Sequence, residues 1–134
     1  MSEFRVASRY ARSIFDLAIE MKNVDRVYND MLIVGQVLQE NGKLVTLLKN
    51  PIIRYDYKLR ILNKVFEKHL NELTLRFFNL ICRKNRAQIL PESSKAFVDL
   101  YHEYKGIVRA NVSTAVTISA QIRIDFENII SRAT

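Results

Sequence analysis

Two histidines, one cysteine and fourteen carboxylates are the residues with which this chain would do acid–base, nucleophilic or metal chemistry. His69 and His102 are far apart in sequence, and neither belongs to an H-E-x-x-H arrangement or a Cys/His cluster, so no metal site is expected. Cys82 has no His or Asp at a spacing that would activate it. On an apolar helix it reads as a small core residue rather than a nucleophile. The acidic residues form no convincing catalytic pair. No G-x-x-x-x-G-K-[ST] or G-x-G-x-x-G run offers a nucleotide cradle. An enzyme with a helical active site is the poorest reading of these residues, and no cofactor is expected.

The formal charge of +7 and an isoelectric point near 9.7 raise a second chemistry, attraction to nucleic acid, anionic lipid or acidic protein. Yet Lys and Arg are spread along the chain. The tightest group, Arg83-Lys84-Asn85-Arg86, falls at an expected helix end, where cations oppose the negative end of the dipole. A basic helical nucleic-acid-binding module therefore stands as the alternative reading, behind a protein-binding one. A lone cysteine forms no internal disulfide, which suits a reducing compartment. No apolar run approaches the ~20 residues that cross a bilayer, and Met1-Ser-Glu-Phe lacks the pattern of a signal peptide.

The elements that would position these residues are mostly helices. The first is expected from Ser2, a plausible N-cap, to Met21, and the second from Asp25 to Glu40, stopped in left-handed fashion by Asn41-Gly42. Gly35 in that helix suggests a close helix crossing. A third runs from Lys43 to Lys49 and is closed by Asn50-Pro51. The fourth, Tyr55 to His69, is expected to bury Leu59, Leu62, Val65 and Phe66. Asn71 caps a fifth that reaches Lys84, with Asn85 as its exit. Pro91 suits the first turn of a sixth that ends at Lys105. Short connections imply antiparallel neighbours in a bundle over residues 1–105.

After Gly106 the pattern changes. Val108, Ala110, Val112, Thr114, Val116 and Ile118 alternate through a β-branched stretch, so a strand is expected over 107–118 and a helix capped by Ser119 after it. One strand and one helix make no sheet domain. Residues 106–134 therefore read as the start of a truncated α/β domain, and the fold class as mainly α.

Two helices have more apolar surface than one core contact uses. In helix one, Phe4, Ala7, Ala11, Phe15 and Ala18 line one face, and Val6, Tyr10, Ile14, Leu17 and Met21 line the next. In helix five, Leu73, Phe77, Leu80 and Ile81 form one side, and Leu75, Phe78 and Cys82 continue round it. Burial in the centre of the bundle explains one such helix. Two of them side by side would leave an apolar groove, the kind that receives an amphipathic helix.

The ordered set Arg9-Tyr-Ala-Arg-Ser-Ile-Phe-Asp-Leu-Ala18, Leu44-Val-Thr-Leu-Leu-Lys-Asn-Pro51, Phe78-Asn-Leu-Ile-Cys-Arg-Lys-Asn-Arg-Ala-Gln-Ile-Leu-Pro91 and Ala110-Asn-Val-Ser-Thr-Ala-Val-Thr-Ile-Ser119 resembles the delta subunit family of the F-type ATP synthase. The mitochondrial counterpart is the oligomycin-sensitivity-conferring protein. The resemblance covers essentially the whole chain. It implies a six-helix N-terminal bundle, a smaller α/β C-terminal domain, and a non-catalytic stator subunit of the proton- or sodium-translocating rotary enzyme. Such a subunit ties the catalytic head to the peripheral stalk at the cytoplasmic face of the bacterial inner membrane, without entering the membrane.

The resemblance also implies partners and a site. Helices one and five of the family form a groove for the N-terminal helix of an alpha subunit. Its positions fall here on Tyr10, Leu80 and Arg86, to which helical spacing adds Ser13, Ile14, Phe77 and Arg83. The two arginines would pair with carboxylates of the incoming helix. The peripheral-stalk b subunits are expected to bind the C-terminal domain, so this chain is expected to keep the head contact and lose most of the stalk contact. A strand left unpaired at 107–118 would be disordered or would pair with another molecule.

Overall fold

A computed structural model describes the backbone of residues 3–115 and the side chains of residues 3–106. Its helices are α1 (Glu3–Glu20), α2 (Val24–Glu40), α3 (Gly42–Lys49), α4 (Tyr55–Phe66), α5 (Glu72–Arg83) and α6 (Leu90–Ala115), with a 3-10 turn at Ala87–Ile89 before α6. The described residues contain no strand. The chain divides into two compact units, residues 1–100 and 101–134. The first holds α1 to α5 and the N-terminal part of α6.

Sequence fixes most of the helix ends. Asn71 sits in an extended conformation, and its side chain accepts the Leu73 N–H at 2.9 Å, which caps α5 as expected. Asn85, with φ of 56°, ends α5 in the left-handed region. There the Arg86 N–H reaches the Ile81 carbonyl at 2.7 Å and the Asn85 N–H reaches that of Cys82 at 2.9 Å, which forms a Schellman closure. Lys22 ends α1 in the same way, with φ of 58° and the Asn23 N–H on the Ala18 carbonyl at 2.7 Å. At the end of α2 the mechanism differs from expectation. Asn41 has φ of −125° and Gly42 has no positive φ; instead the Asn41 side-chain amide donates to the Val37 carbonyl at 2.8 Å. Asn50 closes α3, and its side chain accepts the Ile52 N–H at 3.0 Å.

The core of the first unit lies around α2, whose Val27, Met31, Val34 and Leu38 are all buried. Phe15 of α1 meets Phe97 of α6 edge-on at 5.5 Å between ring centroids. Phe66 of α4 meets Phe78 of α5 at the same separation. Each of these rings contributes about 1.5–3 kcal/mol by leaving water. Leu48, Leu62, Ile81 and Leu90 fill the space between helices.

Four expectations are corrected. Helix α4 ends at Phe66 rather than His69, because residues 67–69 turn toward the next helix. Val65 is 41% exposed, since it faces a surface depression and not the core. Phe4 is 70% exposed at the first turn of α1. Gly35 does face α6, but a Cβ placed there would lie 3.7 Å from the Ser94 hydroxyl, an ordinary contact, so the approach does not demand glycine.

The end of α6 also differs. The backbone is helical through Ala115, across most of the stretch where alternation predicts a strand. A helix satisfies its own N–H and C=O groups, whereas a strand requires a neighbour to satisfy them. Residues 116–118, the helix expected after Ser119 and the Ser2 cap lie outside the described residues.

Candidate functional site

Helices α1 and α5 flank an apolar groove of about 290 Å³, lined by Tyr10, Ser13, Ile14 and Leu17 from α1, Met21 just beyond its end, and Leu73, Arg76, Phe77 and Leu80 from α5. The local cause is the helical repeat. Positions 10, 13, 14 and 17 of α1, continued by 21 in the turn that follows, and 73, 76, 77 and 80 of α5, follow the three- and four-residue steps that align one face. The core-facing stripe of α1, with Ala7, Ala11, Phe15 and Ala18 all buried, lies beside the groove stripe. In α5, Phe78, Ile81 and Cys82 are likewise fully buried.

The groove has a closed floor and an open rim. Ile14, Leu73 and Phe77 are 4–7% exposed and form the floor. Leu17, Met21 and Leu80 are 42, 51 and 44% exposed and form apolar shoulders. Tyr10 is half-buried and Ser13 exposed. Shoulders of that kind lose apolar surface to water until something covers them, at about 25 cal/mol per Å². Arg76 places a cation on the α5 wall and is held by Glu72 at 2.8 Å.

Five of the seven residues expected at the site therefore meet in one groove: Tyr10, Ser13, Ile14, Phe77 and Leu80. Arg83 and Arg86 do not line it. Arg83 is exposed in the last turn of α5, where its Nε donates to the Asn79 side chain at 2.8 Å, and Arg86 is exposed beyond the helix. Leu17, Met21, Leu73 and Arg76 line the groove without having been singled out for it. Continuing the same helical steps from Tyr10 and Leu80 reaches all four.

A second depression, of about 430 Å³, is lined by Val37, Asn41, Lys43, Leu44, Leu47, Ile61 and Val65 from α2, α3 and α4 and the junction between α2 and α3. Nearby, the buried Lys58 of α4 donates through Nζ to the Leu48 carbonyl at 2.9 Å, at the end of α3. Burial lowers the pKa of that ammonium below its usual 10.5. It pushes the buried Cys82 thiol, which interacts with Lys58, up to about 11. A raised pKa and full burial make the thiol unreactive. Among the described residues no group of three or more His, Cys, Asp or Glu is placed to hold a metal ion. Nor is any described helix long and apolar enough to cross a membrane.

The class defined by these features is a helical bundle with an apolar, cation-edged groove between two of its helices. The sequence pattern of the ATP synthase delta (OSCP) subunit family matches residues 6–134. The ATP synthase subunit delta of Amoebophilus asiaticus is 36% identical over 128 residues, which span 96% of this chain and 70% of that one. The ATP synthase subunit delta of Cytophaga hutchinsonii is 37% identical over 131 residues, 98% of this chain and 72% of its own. That of Chlorobium phaeobacteroides is 37% identical over 119 residues, 89% and 66% respectively. The chain belongs to the ATP synthase delta (OSCP) subunit family, a family of structural rather than catalytic subunits.

Proposed function

We propose that this chain is an adaptor of the ATP synthase stator, and that the groove between α1 and α5 receives the amphipathic N-terminal helix of an alpha subunit. The observation that carries the reading is the groove itself. Two neighbouring helices each present a second apolar stripe, and together they leave floor and shoulders open to a helix-sized apolar ligand. Family membership supplies the complex in which that helix is sought. Residues 1–105 are the head-binding domain in this account. Residues 106–134 begin the domain through which the peripheral-stalk b subunits are held. The complex sits on the cytoplasmic face of the inner membrane, and this subunit stays peripheral to it.

The role sets a demand on the interface. A stator linkage must remain attached while torque is applied, so slow dissociation matters more than fast encounter. A standard interface of about 800 Å² per partner can reach nanomolar affinity, about −12 kcal/mol. Buried aromatic and aliphatic anchors at its centre carry most of that. Leu17, Leu80 and Tyr10, which still expose surface above the Ile14 and Phe77 floor, fit that description.

Titration of the 134-residue chain with a synthetic peptide of the cognate alpha-subunit N-terminus tests the reading, with duplex DNA as the second titrant. Saturable peptide binding that persists in moderate salt is expected. Salt-sensitive DNA binding with no response to the peptide would replace the adaptor by the nucleic-acid module that the basic composition suggests.

A further inference from the structure

Helix α2 contributes one buried carboxylate, Asp30, which is 1% exposed. Its Oδ2 accepts two hydrogen bonds from the start of α5, the backbone N–H of Asn71 at 2.8 Å and the Thr74 hydroxyl at 2.6 Å. Asn71 is the N-cap of α5, and its own side chain accepts the Leu73 N–H at 2.9 Å. Arg26, one turn earlier on α2 and mostly exposed, approaches the other carboxylate oxygen at 3.8 Å. The carboxylate thus lies at the positive end of the α5 dipole, where it takes one backbone donor that the first turn cannot satisfy within the helix, together with the Thr74 hydroxyl.

These bonds bear on the groove. Leu73, its first α5 residue, lies between Asn71 and Thr74, the two residues that Asp30 holds, and Arg76, Phe77 and Leu80 follow within two turns. Helix α2 also packs against α1, the opposite wall. Both walls therefore rest on α2, and the bond set at Asp30 fastens one of them in place.

We propose that Asp30 is a positioning residue for the groove: by pinning the first turn of α5 to α2, it sets where the α5 wall stands relative to α1. Its effect on partner binding rests on the helix-receiving reading above. Asp30 touches no ligand in this account. It acts through Leu73 and Phe77, and it keeps the groove at the spacing that a helix requires. If loosening the α5 start lowers the fraction of molecules with a correctly spaced groove to about one tenth, apparent affinity falls about tenfold although no contact with the ligand has been removed.

Two readouts on the full chain test this. One is the α1–α5 distance distribution in peptide-free protein, from spin labels on Ser13→Cys and Arg76→Cys; the buried Cys82 should stay unlabelled. The other is the affinity of otherwise unmodified variants for the alpha-subunit peptide, at a temperature where each is folded. Asp30→Asn is expected to broaden the distribution and weaken the peptide about tenfold. Thr74→Val, which deletes one donor with little change in shape, should do the same to a lesser degree, about threefold, and serves if Asp30→Asn does not fold. Leu48→Ala, a core truncation in α3, should lower stability and change neither readout. If the folded Asp30→Asn and Thr74→Val proteins keep the wild-type distribution, or broaden it with affinity unchanged, the proposal is overturned. If wild type fails to bind the peptide while Asp30→Asn still broadens the distribution, the helix-receiving reading fails and the wall-setting role of Asp30 stands.

Discussion

The two apolar depressions of the bundle are built differently. The one between α1 and α5 is the smaller, about 290 Å³ against about 430 Å³. The larger is lined partly by α3, a helix of only eight residues whose one buried residue is Leu48. Two of its walls are tied to each other directly, since Lys58 of α4 bonds the last turn of α3. The α1–α5 groove instead lies between helices that each carry a second apolar stripe, and its α5 wall is fastened to α2 through Asp30. The larger depression lies where the end of α2 meets α3 and α4. The smaller has a floor of Ile14, Leu73 and Phe77 between exposed apolar shoulders. Volume alone does not distinguish a docking site from incomplete packing; in the proposed function the second apolar stripes of α1 and α5 make that distinction.

The comparison breaks most clearly by placing one charge in each depression. Leu80→Asp puts a carboxylate on the shoulder of the α1–α5 groove and is expected to weaken the alpha-subunit peptide by about 2 kcal/mol or more, the scale of an interface hot spot. Because Leu80 is 44% exposed, its replacement should cost little stability. Val65→Asp in the larger depression should leave peptide affinity unchanged. Equal losses in isothermal titration would erase the distinction between the two regions.

The buried thiol of Cys82 on α5 gives the bundle a signature in alkali. Between the ordinary Cys82 value of 9.0 and its raised value of about 11, an unfolded chain has lost the thiol proton while the folded chain retains it. Stability therefore falls as pH rises through that window, by about 3 kcal/mol when complete. Lys58 acts in the opposite sense below 10.5: the folded chain binds fewer protons than the unfolded one, so its contribution rises with pH. Cys82→Ala should remove the alkaline loss in denaturant titrations from about pH 8 to about pH 10.5, even if the cavity lowers stability at every pH. A variant that falls as steeply as wild type would show that the thiol is not the titrating group.

Smaller effects sharpen the edges of the groove. Tyr10→Ala should weaken the peptide by about 1 kcal/mol, since the ring is half-buried on the α1 wall. If it alters only thermal stability, Tyr10 belongs to the core. Arg83→Ala and Arg86→Ala, exposed and away from the lining, should each change affinity by less than about 0.5 kcal/mol. A larger loss would extend the site beyond the end of α5.

The six helices of the described residues, the Asn71 cap, the Asn85 exit and the paired wide stripes were legible because each is written within one turn or one helical face. Of the five expected residues that line the groove, Tyr10 and Leu80 came from the family resemblance, and Ser13, Ile14 and Phe77 from helical spacing around them. Periodicity carries no such information about the Asp30 network, which joins residues more than 40 positions apart. The same holds for Lys58, a charged residue that burial draws onto a carbonyl. Val65 shows the complementary error: helical spacing placed it with Phe66 on the core side, and only the packing of α3 determines where the core ends. Beyond Gly106, alternation favoured a strand, whereas a helix that satisfies its own backbone runs on to Ala115.

The most direct test of the central claim is to map the alpha-subunit peptide on the isotope-labelled chain by chemical-shift perturbation. The account predicts that perturbations concentrate on Tyr10, Ile14, Leu17, Leu73, Phe77 and Leu80, the two walls of one groove, while Leu44, Leu47, Ile61 and Val65 stay where they were. Perturbations centred on those four, or scattered over the basic surface without saturation, would contradict it.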